Sequence, residues 1–417
     1  MNTQDIKDSK NLNAPSKGNV PALRFPEFTE EWTAETIDEL FELRNGYTPS
    51  KNNLDFWNNG TIPWFRMEDI RLNGGVLKDA IQHITPEAVK GSGLFEPYSI
   101  ILATTATIGE HAMLIADSLA NQRFTNFKIR KSLTYKYNPY YLYYYFFKID
   151  KWCLKNTNAG GLLSVDIPSL KRQKLYSPSV EEQNKIAKLL RLIDDRISIQ
   201  SRIIQKYKSL IKAMCDTLIE RETQQVTLSF SDFGQSYSGL SGKSAEDFGD
   251  GYPFITYMNV YQNQIIDSTD MGLVKIKARE QQSVVRHGDI LLTLSSETPE
   301  EVGMGAVYFG KTYPLYLNSF CFGIHITDES MIYPPFLAYY VSSQLFRKAV
   351  YPLAQGSTRF NLQKSDFMKK KFSFPLIEKQ RQIYSILNAY SNKLIVEKQI
   401  MRLLCNQKCH LLRQLFI

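Results

Sequence analysis

Alternating steps of four and three residues from Ile186 pick out Ile186, Leu190, Ile193, Ile197, Gln200, Ile204, Tyr207, Ile211, Met214 and Leu218, all apolar except Gln200. The same steps from Ile383 pick out Ile383, Leu387, Tyr390, Leu394, Glu397, Met401, Leu404, Lys408, Leu411 and Leu415, a weaker stripe whose first polar break falls at the same step. An apolar period of 3.5 predicts a coiled-coil seam, and a single polar seam residue usually fixes register. Each helix can run for about 40 residues, roughly 60 Å at 1.5 Å per residue. Ser179 with Glu182 predicts a capping box at the start of the first.

The segments that open the two stripes repeat each other. PSVEEQNKIAKLLRLIDDRI from Pro178 is answered by PLIEKQRQIYSILNAYSNKL from Pro375, 197 residues later. Upstream, short apolar segments broken by Gly, Pro and Asn predict mixed, irregular sheet. IPWFRMEDI, SIILATT and FTNFKIR occur in the first half; YPFITYMNV and DILLTL answer the first two at an offset of 190, and Asn318 answers Asn121 at 197. The drift between 190 and 197 implies about seven extra residues in the second copy, expected in SSETPEEVGMG. Both copies continue through a Pro-started aromatic helix, NPYYLYYYFFKIDKW and PPFLAYYVSSQLFRKAV, into a glycine-bearing loop, NAGGLLS and QGSTRFN.

The expected fold class is therefore α+β with a tandem duplicated architecture. Two mixed α/β domains are joined by two long helices that form an antiparallel coiled coil, giving a dumbbell with pseudo-twofold symmetry. The expected divisions are a flexible arm over 1–20, a first domain over 21–178, a first helix over 179–223, a second domain over 224–375 and a second helix over 376–417.

Composition changes this picture little. A chain of 417 residues, 43% hydrophobic, can build the cores of two or three domains. The net charge of +8 suits an acidic partner, although 50 basic against 42 acidic residues is also common in plain soluble proteins. Five cysteines without a signal peptide fit a reducing cytoplasm, and the apolar run YYLYYYFF is far short of the roughly 20 residues of a membrane span. Cys405, Cys409 and His410 could share a helix face, but no further Cys/His cluster completes a tetrahedral site, so no metal is expected.

Catalytic motifs fail on spacing. Asn138-Pro139-Tyr140-Tyr141 resembles an amino-methyltransferase signature, yet it opens a helix, where a capping Asn and a first-turn Pro suffice. Gly242-Lys243-Ser244 resembles the end of a phosphate loop, but Tyr237 stands where the required glycine belongs. Gly303-Met304-Gly305 lacks the third glycine of a dinucleotide site, and the five histidines are scattered. No catalytic residue is expected.

In this order, and twice over, the elements are specific. The chain resembles the specificity subunit of a bacterial type I restriction-modification enzyme from Pro21 onward. The resemblance rests on the doubled Pro-x-x-Glu-x-Gln-x-x-Ile segment, the Tyr-Leu-Tyr-Tyr-Tyr stretch, GYTPS, IPWFRMEDI and the ending LLRQLFI. It implies a non-catalytic cytoplasmic chain without a cofactor of its own. Each half would be a target recognition domain reading one part of a split double-stranded DNA site, and the helices would set the gap. They would also dock two methyltransferase subunits bringing S-adenosylmethionine, and restriction subunits using ATP and Mg2+ would join. Half-sites about one DNA turn apart suit two readers on one face of a duplex. The rival readings are a self-contained methyltransferase or nuclease, whose motifs are missing, and a two-headed non-DNA adaptor for protein or carbohydrate, which predicts no salt-dependent DNA binding.

Candidate DNA contacts follow. Arg172 and Lys174, matched by Lys369 and Lys371, are candidates for phosphate or for a plain solvated strand end. Arg66, Glu68 and Arg71 in the first copy, and Thr256, Tyr257 and Asn259 in the second, are candidates for base edges. The loops around Gly160-Gly161 and Gly356, with Arg359 and Asn361, are either a further contact or a tight connection. Glu397 and Lys408 on the second seam imply looser packing, or partners across the coil or on a methyltransferase.

Overall fold

The computed structural model describes residues 18–158 and 163–417. Most of the expected arm, and Gly160-Gly161, lie outside the described residues. The chain divides into two compact units, 1–199 with 401–417, and 200–400.

In the first unit a five-stranded sheet runs in the order Phe41–Asn45, Phe124–Ile129, Ile100–Ala103, His111–Leu114, Val76–Leu77, antiparallel except for the last pair. Successive side chains of its central strand point to opposite faces. Ile100 and Leu102 join a core with Tyr141 and Phe146 of the aromatic helix, while Ile101 and Ala103 join Trp64, Phe65 and Leu119 on the other side. A strand covered on both faces reads as a continuous apolar run, which is why SIILATT does not alternate. The second layer pairs Ile62–Phe65 parallel to Leu119–Ala120 and antiparallel to His83–Ile84.

The second unit repeats this order with Gly234–Ser238, Cys321–Ile326, Ile290–Thr293 and Gly305–Val307. Phe248–Ile255 pairs parallel to Tyr316–Leu317 and antiparallel to Met271–Val274. The registers locate the extra residues. Ile100 faces Met113 and Ile290 faces Val307, so that hairpin is four residues longer in the second copy. Trp64 faces Leu119 and Phe254 faces Tyr316, so the connection from Val307 to Tyr316 is three longer than that from Met113 to Leu119. The insertion expected in SSETPEEVGMG is thus divided between two loops.

The aromatic helix Pro139–Lys155 is capped by Asn138, whose side chain accepts from the N–H groups of Tyr140 at 2.8 Å and Tyr141 at 3.2 Å. Its counterpart breaks into Pro334–Tyr340 and Gln344–Val350. Ser342 and Ser343 hydroxyls donate back to the carbonyls of Tyr339 at 3.0 Å and Tyr340 at 2.7 Å, and Ser343 then accepts from Phe346 N–H at 3.2 Å as a new cap. Side chains competing for backbone groups end the first segment.

The long helices are Val180–Glu220 and Ile377–Gln414, and every seam position is buried or half-buried. In the first unit, Ile186, Ala187 and Leu190 share a core with Leu412, Leu415 and Phe416, and Lys408 Nζ meets Asp194 Oδ1 at 2.6 Å. In the second, Ile211, Cys215 and Ile219 share one with Ile383 and Leu387. The segments run antiparallel in both units. Gln200 Nε2 donates to the Glu397 carbonyl at 2.9 Å and to its carboxylate at 2.6 Å, so the two polar breaks satisfy each other. That bond, with Lys393 Nζ at 3.0 Å, holds the Glu397 carboxyl below the usual carboxylate range. Both seam charges therefore have partners across the coil.

The doubled Pro-x-x-Glu-x-Gln segment is a clamp. Gln183 accepts from Asn138 N–H at 2.9 Å and donates to the carbonyls of Lys136 at 3.1 Å and Pro178 at 3.0 Å. Gln380 does the same with Tyr333 N–H at 2.8 Å, Met331 at 3.0 Å and Pro375 at 2.8 Å. One buried amide ties each long helix to the last strand and to the start of the aromatic helix. The expected capping box is half-formed: Glu182 N–H reaches Ser179 Oγ at 3.4 Å, but the Glu182 carboxylate turns to Arg24 Nε and Nη2, each at 2.8 Å.

Candidate nucleic-acid interface

IPWFRMEDI and YPFITYMNV are each a strand running into a short helix, Ile62–Phe65 into Met67–Asn73 and Phe248–Ile255 into Tyr257–Gln262. The candidate base-reading residues therefore lie on helix starts rather than along strands, except Arg71 in the last turn of the first helix. Arg66 precedes the first helix, with its N–H on Asp69 Oδ2 at 2.7 Å, and Thr256 caps the second by accepting from Asn259 N–H at 3.2 Å.

Beside each helix start lies a turn held by a repeated asparagine. Asn121 N–H donates to Phe65 O at 3.1 Å and Asn318 N–H to Ile255 O at 3.0 Å. Asn121 Oδ1 accepts from Arg123 N–H at 3.0 Å, and Asn318 Oδ1 from Phe320 N–H at 2.9 Å. Such a side chain closing on the backbone two residues on is an Asx turn. A third segment crosses close behind. A Cβ on Gly46 would stand 2.3 Å from Asn121 O, and one on Gly239 2.0 Å from Asn318 O, so only glycine allows the approach. This accounts for the glycine of GYTPS.

These segments enclose a cleft of about 290 Å³ in the first unit and one of about 350 Å³ in the second. The first is cationic: Lys51, Arg66 and Arg123 line it against a single Glu68, with Gln122 beside them. Arg66 Nη2 pairs with Glu68 Oε2 at 3.0 Å, while its buried Nε has no partner among the described residues. The second is aromatic. Tyr257 and Tyr261 rings lie 5.9 Å apart at 17°, with Met258 47% and Phe320 54% exposed at the rim and Arg359 among its lining. Tyr257 OH donates to Ser295 O at 2.8 Å, and Tyr261 OH to Glu301 Oε1 at 2.6 Å. The Glu301 bond pushes the Tyr261 hydroxyl up to about 12 and draws Glu301 down.

The structure thus brings Arg66 and Glu68 together in one cleft, and Tyr257 and Arg359 in the other. It disperses the rest. Arg71 points to Glu110 at 3.6 Å, and Asn361 is exposed on Phe360–Leu362 opposite Ser295. Asn259 is fully buried and its amide donates to the carbonyls of Asp267 at 2.8 Å and Asp270 at 2.5 Å, so it braces a turn and has no edge to offer a base. Arg172 and Lys174, with Lys369 and Lys371, lie at the strand pairs that close each unit, outside the linings of both clefts. Of these, Arg172 donates to Ser169 Oγ at 2.8 Å, Lys371 pairs with Asp232 at 2.8 Å, and Lys174 and Lys369 are exposed. Sequence reasoning missed Lys51, Gln122, Arg123, Met258, Tyr261 and Phe320. The repeated asparagine followed by unlike residues could have pointed to Gln122, Arg123 and Phe320; no such signal marks Lys51, Met258 or Tyr261.

Lys243 of the phosphate-loop look-alike is buried on Glu280 Oε2 and Lys275 O, each at 2.6 Å. No helix among the described residues is long and apolar enough to cross a membrane.

A family model for the type I restriction modification DNA specificity domain matches residues 29–208 and again 229–404. The EcoprrI specificity subunit of Escherichia coli is 42% identical over 183 residues, an alignment spanning 43% of each chain. The MjaIX specificity subunit of Methanocaldococcus jannaschii is 23% identical over 400 residues, 89% of this chain and 90% of that one. Among solved structures, the S subunit of a type I restriction-modification system from M. genitalium superposes with a TM-score of 0.53 at 15% identity, covering 95% of this chain and 99% of that one. A chain from work on complex assembly and conformational transition of the type I R-M system gives a TM-score of 0.59 at 13% identity, covering 93% and 97%. The same fold, met twice in one chain together with a double family match, has one conclusion: the chain belongs to the family of type I restriction-modification DNA specificity domains.

Proposed function

We propose that the chain is the DNA-specificity subunit of a type I restriction-modification complex, each unit reading one half of a bipartite site. The observation that carries this is the pair of clefts at one topological position, framed by the same hydrogen bonds and lined by different side chains. A duplicated enzyme would be expected to repeat its catalytic groups. A reader of an asymmetric split site must keep the frame and change the lining, because sequence is specified by contacts to base edges.

In this reading the paired helices set the gap between half-sites and dock two methyltransferase subunits. Those subunits supply S-adenosylmethionine, and restriction subunits supply ATP- and Mg2+-dependent translocation and cleavage. This chain recognises DNA and performs no catalysis, in the cytoplasm where its DNA lies. Arg172, Lys174, Lys369 and Lys371 serve as phosphate contacts flanking the readers. Co-expression with the methyltransferase subunit of the same system, followed by single-molecule mapping of methylated adenines, tests the proposal. A split motif with a fixed gap is expected; a stable complex that methylates nothing, or an unsplit motif, overturns it.

A further inference from the structure

The two Asx turns place unlike side chains at one position of the fold. Two residues after Asn121 stands Arg123; two residues after Asn318 stands Phe320. Resting on the proposed DNA-reading role, we infer that this position determines specificity in both units, Arg123 with Arg66 reading guanine in one half-site and Phe320 with Met258 reading a thymine methyl in the other.

The Arg123 guanidinium is exposed and makes no hydrogen bond or ion pair among the described residues, so its fork is available. Arg66 on the facing helix start lines the same cleft and pairs with Glu68, and behind that pair its buried Nε–H has no hydrogen-bond partner among the described residues. Unpaired buried donors are uncommon and call for a partner. Arginine paired to guanine O6 and N7 is the commonest specific contact in the major groove, and apolar side chains meet the thymine methyl. In the second cleft Phe320 and Met258 offer apolar surface, with Glu297 and Glu301 close by.

A phosphate anchor fits this position poorly. Phosphate contacts carry no sequence information and would serve both copies equally. Here the cation of one copy is replaced by a phenyl ring in the other, in a lining whose two carboxylates, Glu297 and Glu301, outnumber its one cation, Arg359. In the first cleft Glu68 pairs with Arg66 Nη2 at 3.0 Å, a partner that a guanidinium devoted to phosphate would not need.

The test maps methylated sites made by the chain in complex with its methyltransferase subunit, comparing wild type with Arg123→Ala, Arg123→Lys and Phe320→Ala. Both positions are exposed, so the variants should assemble, which gel filtration checks. Arg123→Ala should relax one G position in one half-site, losing about ten- to a hundredfold in discrimination there. Arg123→Lys should relax it too, because a lysine lacks the planar fork. Phe320→Ala should relax a T position in the other half-site. Unchanged motifs in assembled variants overturn the inference and leave the bipartite reading standing. Even weakening at every site, rescued by Arg123→Lys, with the slope of log affinity against log salt reduced by about 1, marks a phosphate anchor and also overturns it. Absence of any split motif with the wild-type complex overturns the DNA-reading role as well.

Discussion

Replacing Phe416 by Ala should destabilise the first unit far more than the second. Phe416 is 4% exposed, and its ring lies 5.4 Å from Tyr141 and 5.7 Å from Tyr145, edge-on to the latter. The two tyrosines belong to the helix that covers the central sheet, so a residue near the chain's end supports strands more than 270 positions earlier. Truncating a buried Phe costs about 3–5 kcal/mol, which includes aromatic pairs of about 0.5–1.5 kcal/mol. Against a typical domain stability of about 5–15 kcal/mol, that is a large fraction. The assay is built into the sequence: all four tryptophans, Trp32, Trp57, Trp64 and Trp152, lie in the first unit, so tryptophan emission during urea unfolding follows that unit alone. Trp32, 6.2 Å from Tyr141, is close to the perturbation. With a denaturant slope of roughly 2 kcal/mol per molar, the midpoint should fall by about 2 M. Leu403→Ala, on a side chain 67% exposed, should shift it hardly at all. A fall below about 0.5 M for Phe416→Ala would refute the assignment of this residue to the first core.

Gln183→Ala should lower the same tryptophan-monitored midpoint by an amount matching about 1–3 kcal/mol, since it strands Asn138 N–H and two carbonyls, whereas Gln380→Ala should leave that transition in place and weaken the second unit. Equal effects of both on tryptophan emission would contradict the clamp. Glu397 has a folded pKa below the ordinary 4.5, so the stability it contributes is present above about that pH and is lost as pH falls through the folded value. Thermal unfolding at pH 7 should therefore favour wild type over Glu397→Gln, and the gap should narrow progressively as the pH is taken below 4.5; a gap independent of pH would refute the ionised bond to Gln200 and Lys393. Inserting four residues after Gln200 adds about 6 Å and a little over one turn, and should change the permitted gap between half-sites or abolish assembly; an assembled complex with unchanged spacing would sink the idea that the helices act as a spacer.

What the sequence revealed, it revealed through periodicity. The seam from Ile186 to Leu218 is legible because a helix that packs over its whole length must repeat apolar residues every 3.5 positions, and the structure buries each of them at least half. That Gln200 and Glu397 would bond to each other was less legible, since a pattern along one helix says nothing about the level at which the other crosses it. The clefts were legible only in part. They join Lys51, Arg66 and Arg123, each from a different loop, and no local signal says which loops converge. Asn259 shows the opposite error: an amide at a helix start suits adenine, but the turn formed by Asp267 and Asp270 consumes it, and only the three-dimensional path of that turn reveals this. The seven-residue drift was visible, yet its division into four and three needed strand registers.

The frame and the lining of each cleft obey different energetic rules. The frame consists of Asn121 and Asn318 closing their turns, Gly46 and Gly239 permitting backbone approach, and Gln183 and Gln380 tying down the helices. Each of these acts on backbone groups that every sequence possesses, and stranding the buried groups held by Gln183 and Gln380 costs about 1–3 kcal/mol. Lys51, Gln122, Arg123, Met258 and Phe320 are exposed, where substitutions usually change stability by less than about 0.5 kcal/mol. A duplicated scaffold built this way can exchange what it reads without changing how it folds. The same separation explains why the repeat is easy to see in glycines, asparagines and glutamines and disappears in the residues that face the cleft.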